Sequence, residues 1–334
     1  MADEQRLAHE RVLRLLAVAE RVYQDRAALL VELEQCTGLS EQNIERAWRH
    51  SFERQASGVQ LVSLLASVRP ASHVFVVMSA NVFTSALRAL ALALAASARV
   101  TLVPSRRDPV LARALVRDWD GPEVDIAHEL PAVFVPGAAV HAYGSDTTMA
   151  KLRELLPRDV PIWAHGSGFA VAYLPTAEQE QARRLARDVT LFDQRGCLSP
   201  RMVYASNHLR FARMMFEALQ DEEKHYPRGM LLADERAEQQ RWTDTAAFAG
   251  LLLQSDSCSV TGADRAAMLP PTGRHVLVVP LHAPPMAGSL HYLTQIVCSD
   301  APPSWAPAHV RIAAPGNAQC PPLDGPVDMR DVWL

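Results

Sequence analysis

Between residues 73 and 168 the chain repeats one pattern: a short apolar run, a polar turn, then a helical stretch. Residues 73–78 (HVFVVM) carry an apolar run without alternation, as a strand buried on both faces requires. Residues 82–98 read as an almost wholly apolar helix interrupted by Arg88, and 99–103 (RVTLV) as a second strand closed by Pro104 and Ser105. A helix over 108–118, with Pro109 in its first turn, comes next. Weaker strands are expected at 124–127 and 132–135 and a better one at 139–143. Gly144-Ser145-Asp146-Thr147 opens a helix through 156, and a strand at 160–163 runs into the turn 164–168 (AHGSG). This alternation calls for a parallel sheet with right-handed crossovers. Such sheets bind ligands beyond the carboxyl ends of their strands. Three polar turns fall there: 79–81, 104–107 and 144–147. No GxGxxG follows the first strand, so an ordinary dinucleotide fingerprint is not present. The Gly144-Ser145 turn can still cradle a diphosphate, because free N–H groups at a helix start favour an anion. A plain turn with an N-cap explains the same two residues equally well.

The flanks are more helical. In residues 1–34, Leu7, Val12, Leu15, Leu16, Val18 and Val22 recur at helical spacing, Thr37-Gly38 ends the pattern, and a second helix runs from Ser40 toward Phe52. Beyond 168 the expected helices are 177–187, 209–219 and 231–248, and the expected strands are 202–205 and 276–279. Segments 282–287 and 299–307 are rich in Pro and Ala and read as loops, and 321–326 as a rigid non-helical tail. The organisation expected is a helical cover (1–70), an α/β cofactor-binding domain (71–187), a catalytic domain (188–315), and a tail (316–334) packing back on the core.

Composition narrows the function. The 33 basic and 37 acidic residues are interspersed, leaving a net charge of −4, which does not favour nucleic acid as a partner. The most apolar run, 86–98, is too short to span a bilayer, so no membrane is expected. Five scattered cysteines lack CxxC spacing and twelve histidines lack an HExxH motif, so no metal site is expected. With no signal peptide read at the start, the expectation is reduced thiols in the cytoplasm.

One cysteine has a distinctive setting. Residues 191–201 read LFDQRGCLSPR, placing Cys197 after a glycine, on a turn between a polar helix and a β-prone run. Asp193, Gln194, Arg195 and Arg201 make the setting polar, and nearby cations favour a thiolate. The competing account is a small buried hydrophobe. Cys36, Cys258, Cys298 and Cys320 lack such a setting and are read as structural.

Taken in order, five motifs resemble the aldehyde dehydrogenase superfamily, and more closely its LuxC-type acyl-CoA reductases. They are SANVF at 79–83, VPS at 103–105, YGSD at 143–146, DQRGCLSPR at 193–201 and GNAQCPPLDGPVD at 316–328. The likeness covers about residues 72–330. It implies an aldehyde dehydrogenase-like α/β fold, with a parallel-sheet nucleotide-binding domain and an α/β catalytic domain carrying the nucleophilic cysteine. It also implies a reductase in which Cys197 takes the acyl group from acyl-CoA or an acyl-carrier thioester. NAD(P)H then delivers hydride, with Asn81 and the Cys197 backbone N–H as the oxyanion hole. Ser79, Pro104, Ser105, Arg106, Gly144, Ser145, His165 and Gly166 are the implied cofactor contacts. Aldehyde-oxidising relatives carry a water-activating Glu after the Gly-Ser helix and its strand. Here 163–168 read WAHGSG, with no carboxylate, which suits a reductase. Val103 stands where the family usually has Lys, while Arg106 and Arg107 could grip a 2′-phosphate, so NADPH is preferred over NADH. A Cys-dependent acyltransferase without hydride transfer, or a non-catalytic partner retaining the fold, stays open as an alternative. A homodimer and a biosynthetic complex both stay open as assemblies.

Overall fold

The computed structural model describes residues 2–330. In chain order, α1 (Ala2–Gln24), α2 (Leu30–Thr37), α3 (Glu41–His50) and α4 (Gly58–Ala66) precede the first strand. Then come β1 (His73–Val77), α5 (Ser85–Ala96), β2 (Val100–Val103), α6 (Val110–Arg117), β3 (Val124–Ile126), β4 (Ala138–Tyr143), α7 (Asp146–Leu155) and β5 (Ile162–His165). The second half holds β6 (Phe169–Leu174), α8 (Gln179–Thr190), β7 (Pro200–Ala205), α9 (His208–His225), α10 (Ala233–Ala249), β8 (Gly250–Gln254), β9 (Ser259–Ala263), β10 (His275–Pro280), β11 (Leu293–Cys298) and β12 (Arg311–Ala313).

The chain divides into two compact units. The first comprises Met1–Thr37, Ser51–Ser167 and Pro322–Leu334, within the described residues; the second comprises Gly38–His50 and Gly168–Pro321. The first unit holds a five-stranded sheet in the order β3-β2-β1-β4-β5, parallel throughout. The strand order reverses between β1 and β4, the switch point outside whose carboxyl ends open α/β sheets bind their ligands. Helix α5 is buried along nearly its whole length. Its Arg88 is 5% exposed, pairs with Glu53, and donates to the carbonyls of Gly325 at 2.6 Å and Pro322 at 2.9 Å. These partners are what make a cation tolerable inside an apolar helix.

The expected strand at 132–135 does not form: these residues are bends and coil. Pro131 and Pro136 bracket them, and Val133 is 83% exposed. Proline lacks the N–H that a sheet ladder needs.

The second unit holds a seven-stranded mixed sheet, ordered β12-β11-β6-β7-β10-β9-β8, in which only the β8–β9 pairing is antiparallel. An apolar cluster covers each face: Leu185, Val203, Phe211 and Val278 belong to one, Met202, Tyr204, Leu277 and Ile296 to the other. Alternate residues of β7 therefore serve opposite cores. Two irregularities interrupt this sheet beside the first turn of β6. Ala170 and Val171 of β6 pair with Pro200 and Met202, leaving Arg201 as an extra residue on β7. Phe169 and Ala170 pair with Leu293 and Gln295, leaving Thr294 extra on β11.

Candidate active site

Cys197 lies in the second unit, half-buried on the turn just before β7. The approach to it is strained. In the 3-10 turn Leu191–Gln194, Phe192, Asp193 and Gln194 have φ of 57°, 49° and 63°. A non-glycine residue held there costs roughly 1–3 kcal/mol and persists only where its surroundings over-determine it. Here they do. Asp193 Oδ1 accepts from Arg274 Nε at 2.9 Å and Nη2 at 2.7 Å, and Oδ2 accepts from the Gly229 N–H at 2.9 Å. The Gln194 amide donates to the carbonyls of Pro200 at 2.9 Å and His275 at 2.8 Å, and accepts from the His275 N–H at 2.8 Å. Asp193, Gln194 and Arg274 are fully buried.

Arg195 is engaged as well, with Glu235 at 2.9 Å and the Met230 carbonyl at 2.9 Å. The sequence reading gave Asp193, Gln194 and Arg195 the task of making the thiol's surroundings polar. Their side chains instead fix the loop. Arg201, the fourth residue in that reading, interacts electrostatically with Cys197.

The turn is gripped from three further directions. The Cys197 carbonyl accepts from Thr294 Oγ1 at 2.8 Å. A Cβ on Gly168 would come within 2.5 Å of Thr294 Cγ2 and 3.5 Å of Cys197 Cβ, so only glycine allows the start of β6 to pass this close. Behind the turn, Gln319 Nε2 donates to Ser199 Oγ at 2.6 Å, and Gln295 Nε2 donates to the Leu198 carbonyl at 3.3 Å. Asp188 accepts from the N–H groups of Gly316 at 2.7 Å and Ala318 at 2.9 Å. Burial pushes its carboxyl up to about 7 against those two bonds. Sequence reasoning missed Gly168, Thr294, Gln295, Asp188 and Gln319. Gly168 and Gln319 fell inside quoted segments; the other three carry no local signal.

The first unit carries the other candidates, all at the carboxyl edge of its sheet. Ser79 and Asn81 follow β1, Asn81 being exposed; Pro104, Ser105 and Arg106 follow β2; Gly144 and Ser145 follow β4; His165 ends β5 and Gly166 follows it. Ser145 is the N-cap of α7, its Oγ accepting the Thr148 N–H at 3.2 Å. The β4 and β5 turns are tied together. Gly144 N–H donates to the His165 carbonyl at 3.1 Å, the Ser167 N–H donates to Asp146 Oδ1 at 2.7 Å, and the Asp146 N–H donates to Ser167 Oγ at 3.3 Å. A Cβ on Gly166 would reach within 2.4 Å of Asp146 Oδ1, so this pairing needs a glycine. Ser105 Oγ accepts the Arg107 N–H at 3.3 Å, which leaves Arg106 and Arg107 exposed beyond β2. Val103 is 8% exposed, packed in the core at the end of β2. An edge with two exposed guanidinium groups and a capped helix start fits the phosphates of a nucleotide. The lysine contact usual in the family has no counterpart at Val103.

His165 is buried in an aromatic stack. Its ring lies 4.7 Å from Tyr143 at 10° and 4.6 Å from Trp163 at 60°. Burial pushes the imidazole down to about 4; Asp328 opposes this and Arg330 adds to it. Folded His165 is therefore neutral at pH 7. Its preference for the neutral form supports the fold fully above the unfolded value of about 6.5, and that support is lost as pH falls through 4. The His165 ring ¹⁵N resonances should keep neutral-imidazole shifts from pH 8 to 5; a midpoint near 6.5 would contradict the burial described. His141, at about 3, and His275, at about 4, act in the same direction. Asp108 and Asp188, both held up to about 7, act in the opposite one.

No group of three or more His, Cys, Asp or Glu among the described residues is placed to hold a metal ion. No described helix is long and apolar enough to cross a membrane.

A five-stranded parallel sheet with polar turns at one edge, together with a mixed sheet presenting a cysteine turn, is the architecture of the aldehyde dehydrogenase superfamily. Solved structures bear this out. The chain matches succinate-semialdehyde dehydrogenase from Burkholderia pseudomallei with a TM-score of 0.71 at 13% identity, over 100% of this chain and 86% of that one. It matches an NAD-dependent benzaldehyde dehydrogenase from Corynebacterium glutamicum with a TM-score of 0.66 at 14% identity, over 89% and 78%. An NADP-dependent glyceraldehyde-3-phosphate dehydrogenase from Bacillus halodurans, complexed with NADP, matches with a TM-score of 0.60 at 13% identity, over 87% and 73%. Within that class, residues 64–284 match the acyl-CoA reductase (LuxC) family, and the chain belongs to it. No curated protein matches the chain.

Proposed function

We propose that Cys197 carries the acyl group in the reduction of an acyl thioester to its aldehyde. The family and the fold support NAD(P)H-dependent thioester reduction as the activity, and the acyltransferase alternative has no observation in its favour. The observation that carries the role of Cys197 is its placement: a half-buried cysteine on a turn held by hydrogen bonds from Thr294 and Gln194.

The Cys197 thiolate attacks the carbonyl carbon, the bond to the departing thiol breaks, and a thioester on Cys197 remains. A thiolate is the attacking form, and thioester exchange replaces one C–S bond with another. NAD(P)H, when bound, supplies the hydride that reduces this thioester to the aldehyde and frees the thiolate. Ser79, Pro104, Ser105, Arg106, Gly144, Ser145 and Gly166 would hold the nucleotide, with neutral His165 supporting the turn from beneath. The charge of Arg106 and Arg107 favours a 2′-phosphate, hence NADPH. Asn81 would donate its side-chain amide to the oxyanion, alongside the Cys197 N–H. The thiols suit a cytoplasmic enzyme.

The test is direct. With acyl-CoA or an acyl-carrier thioester, the protein should gain the acyl mass; adding NADPH should then discharge it as aldehyde, with NADH slower. No adduct would overturn the role of Cys197, and an adduct that neither nucleotide discharges would restore the acyltransferase alternative. Asn81→Ala should lower turnover roughly 100- to 1000-fold, the usual loss for one oxyanion donor. A rate within threefold of wild type would remove Asn81 from the site.

A further inference from the structure

Residues 314–320, after β12, form two tight turns: the Asn317 N–H donates to the Ala314 carbonyl at 3.0 Å and the Cys320 N–H to the Asn317 carbonyl at 3.1 Å. A segment without helix or strand is placed by what it bonds to. Asp188 of α8 accepts from the Gly316 N–H at 2.7 Å through one carboxylate oxygen and from the Ala318 N–H at 2.9 Å through the other. Gly316, at φ 89°, lies close against α8, where a Cβ would sit 3.4 Å from Arg184 Cβ. Gln295 Nε2 of β11 donates to the Ala318 carbonyl at 3.1 Å. So seated, buried Gln319 donates through Nε2 to Ser199 Oγ at 2.6 Å and to the Asp188 carbonyl at 3.2 Å.

Ser199 acts on Cys197 through the main chain. Its N–H donates to the Gly196 carbonyl at 3.2 Å, closing a four-residue turn with Cys197 and Leu198 at its centre. The Gly196–Cys197 peptide is trans. Its N–H and C=O therefore point in opposite directions, and the Cys197 N–H is aimed away from Ser199. The Leu198 carbonyl accepts from Gln295 Nε2 at 3.3 Å, the same nitrogen that holds Ala318.

We propose that residues 316–319 are a positioning element for the nucleophile turn: Gln319 through Ser199, and Gln295 between Ala318 and Leu198, fix the direction of the Cys197 N–H. The inference rests on the assignment of Cys197 as the acyl carrier. When the thiolate adds to a thioester carbonyl, the C=O electron pair moves to oxygen, and a donor helps only if it is aimed where that charge develops. Alkylation by iodoacetamide makes a different demand on the same sulfur. There the S–C bond forms as iodide leaves, no oxyanion appears, and the thiolate alone is required. The two reactions separate the aim of the turn from the ionisation of its thiol.

The experiment measures both rates at one pH: acylation by acyl-CoA, read by intact mass, and alkylation of Cys197 by iodoacetamide, read by peptide mass. Gln319→Leu, which keeps the bulk and removes the donor, should lower acylation about tenfold and leave alkylation within about twofold, since small misplacements cost rate only where geometry is demanded. Ser199→Ala should show the same split. The double variant should lose no more than the larger single loss, because both changes remove one bond. Wild-type acylation in folded Gln319→Leu would overturn the proposal. Equal losses in both rates would overturn it too, as a general disturbance of the thiol, and so would losses that multiply in the double variant. If Gln319→Leu does not fold, Ser199→Ala, which removes a single oxygen, decides by the same comparison. Failure of the acyl-carrier assignment would show separately, as wild-type protein that alkylates at Cys197 but forms no acyl adduct.

Discussion

Cys197→Ala should abolish acyl-adduct formation and lower aldehyde production by at least about 10³-fold, because losing a nucleophile removes the covalent path altogether. The substitution should hardly touch stability. Cys197 is half-buried on a turn whose grip comes from its own carbonyl, Ser199, Leu198 and Gln194, none of which it alters. The other thiols should not substitute for it. Burial pushes the Cys258, Cys298 and Cys36 thiols up, away from the thiolate, and the Cys320 thiol is directed at the His50 carbonyl. Intact mass followed by peptide mapping reads the result. An acyl group that persists in Cys197→Ala, or maps to another cysteine in the wild type, would move the nucleophile elsewhere.

The second large effect is structural. Asp193→Ala should destabilise the protein by roughly 3–5 kcal/mol, the usual consequence of removing one partner of a buried ion pair. Arg274, fully buried, would keep Glu223 at 2.5 Å but lose both bonds to Asp193. The Gly229 N–H would lose its acceptor too. The three left-handed residues leading to Cys197 would be freed on one side, so the loss should fall on acylation rate as well as on the urea midpoint. Asp193→Asn, which keeps the shape and one acceptor oxygen, should lose less. A change below about 1 kcal/mol in Asp193→Ala would mean that the loop does not depend on this pair.

The first unit was the more legible half. Its strands are continuous apolar runs closed by polar turns, and such runs have few alternatives to a buried parallel strand. Residues 132–135 misled because apolar character was read without the two prolines that bracket it. The second unit hid more. Strand β9 (SVTGA) has only Val260 as a large apolar residue, and β11 contains Thr294 and Gln295, whose side chains turn to the Cys197 loop instead of to a core. The Cys197 turn was legible because glycine and proline punctuate it. The meaning of Asp193 and Gln194 was not: their partners, Arg274 and His275, lie some eighty residues away, and no local spacing announces a contact of that length.

Arg88 has a consequence for how variation in this chain should be weighed. Beside Glu53, it is held by the main-chain oxygens of Pro322 and Gly325. Every residue type offers the same oxygen. A change of side chain at Pro322 or Gly325 therefore leaves these two bonds in place, provided the backbone keeps its path. A gain or loss of a single residue would shift both oxygens out of register at once. For these two contacts a change in length matters more than a change in residue type, the reverse of what is expected of a surface loop.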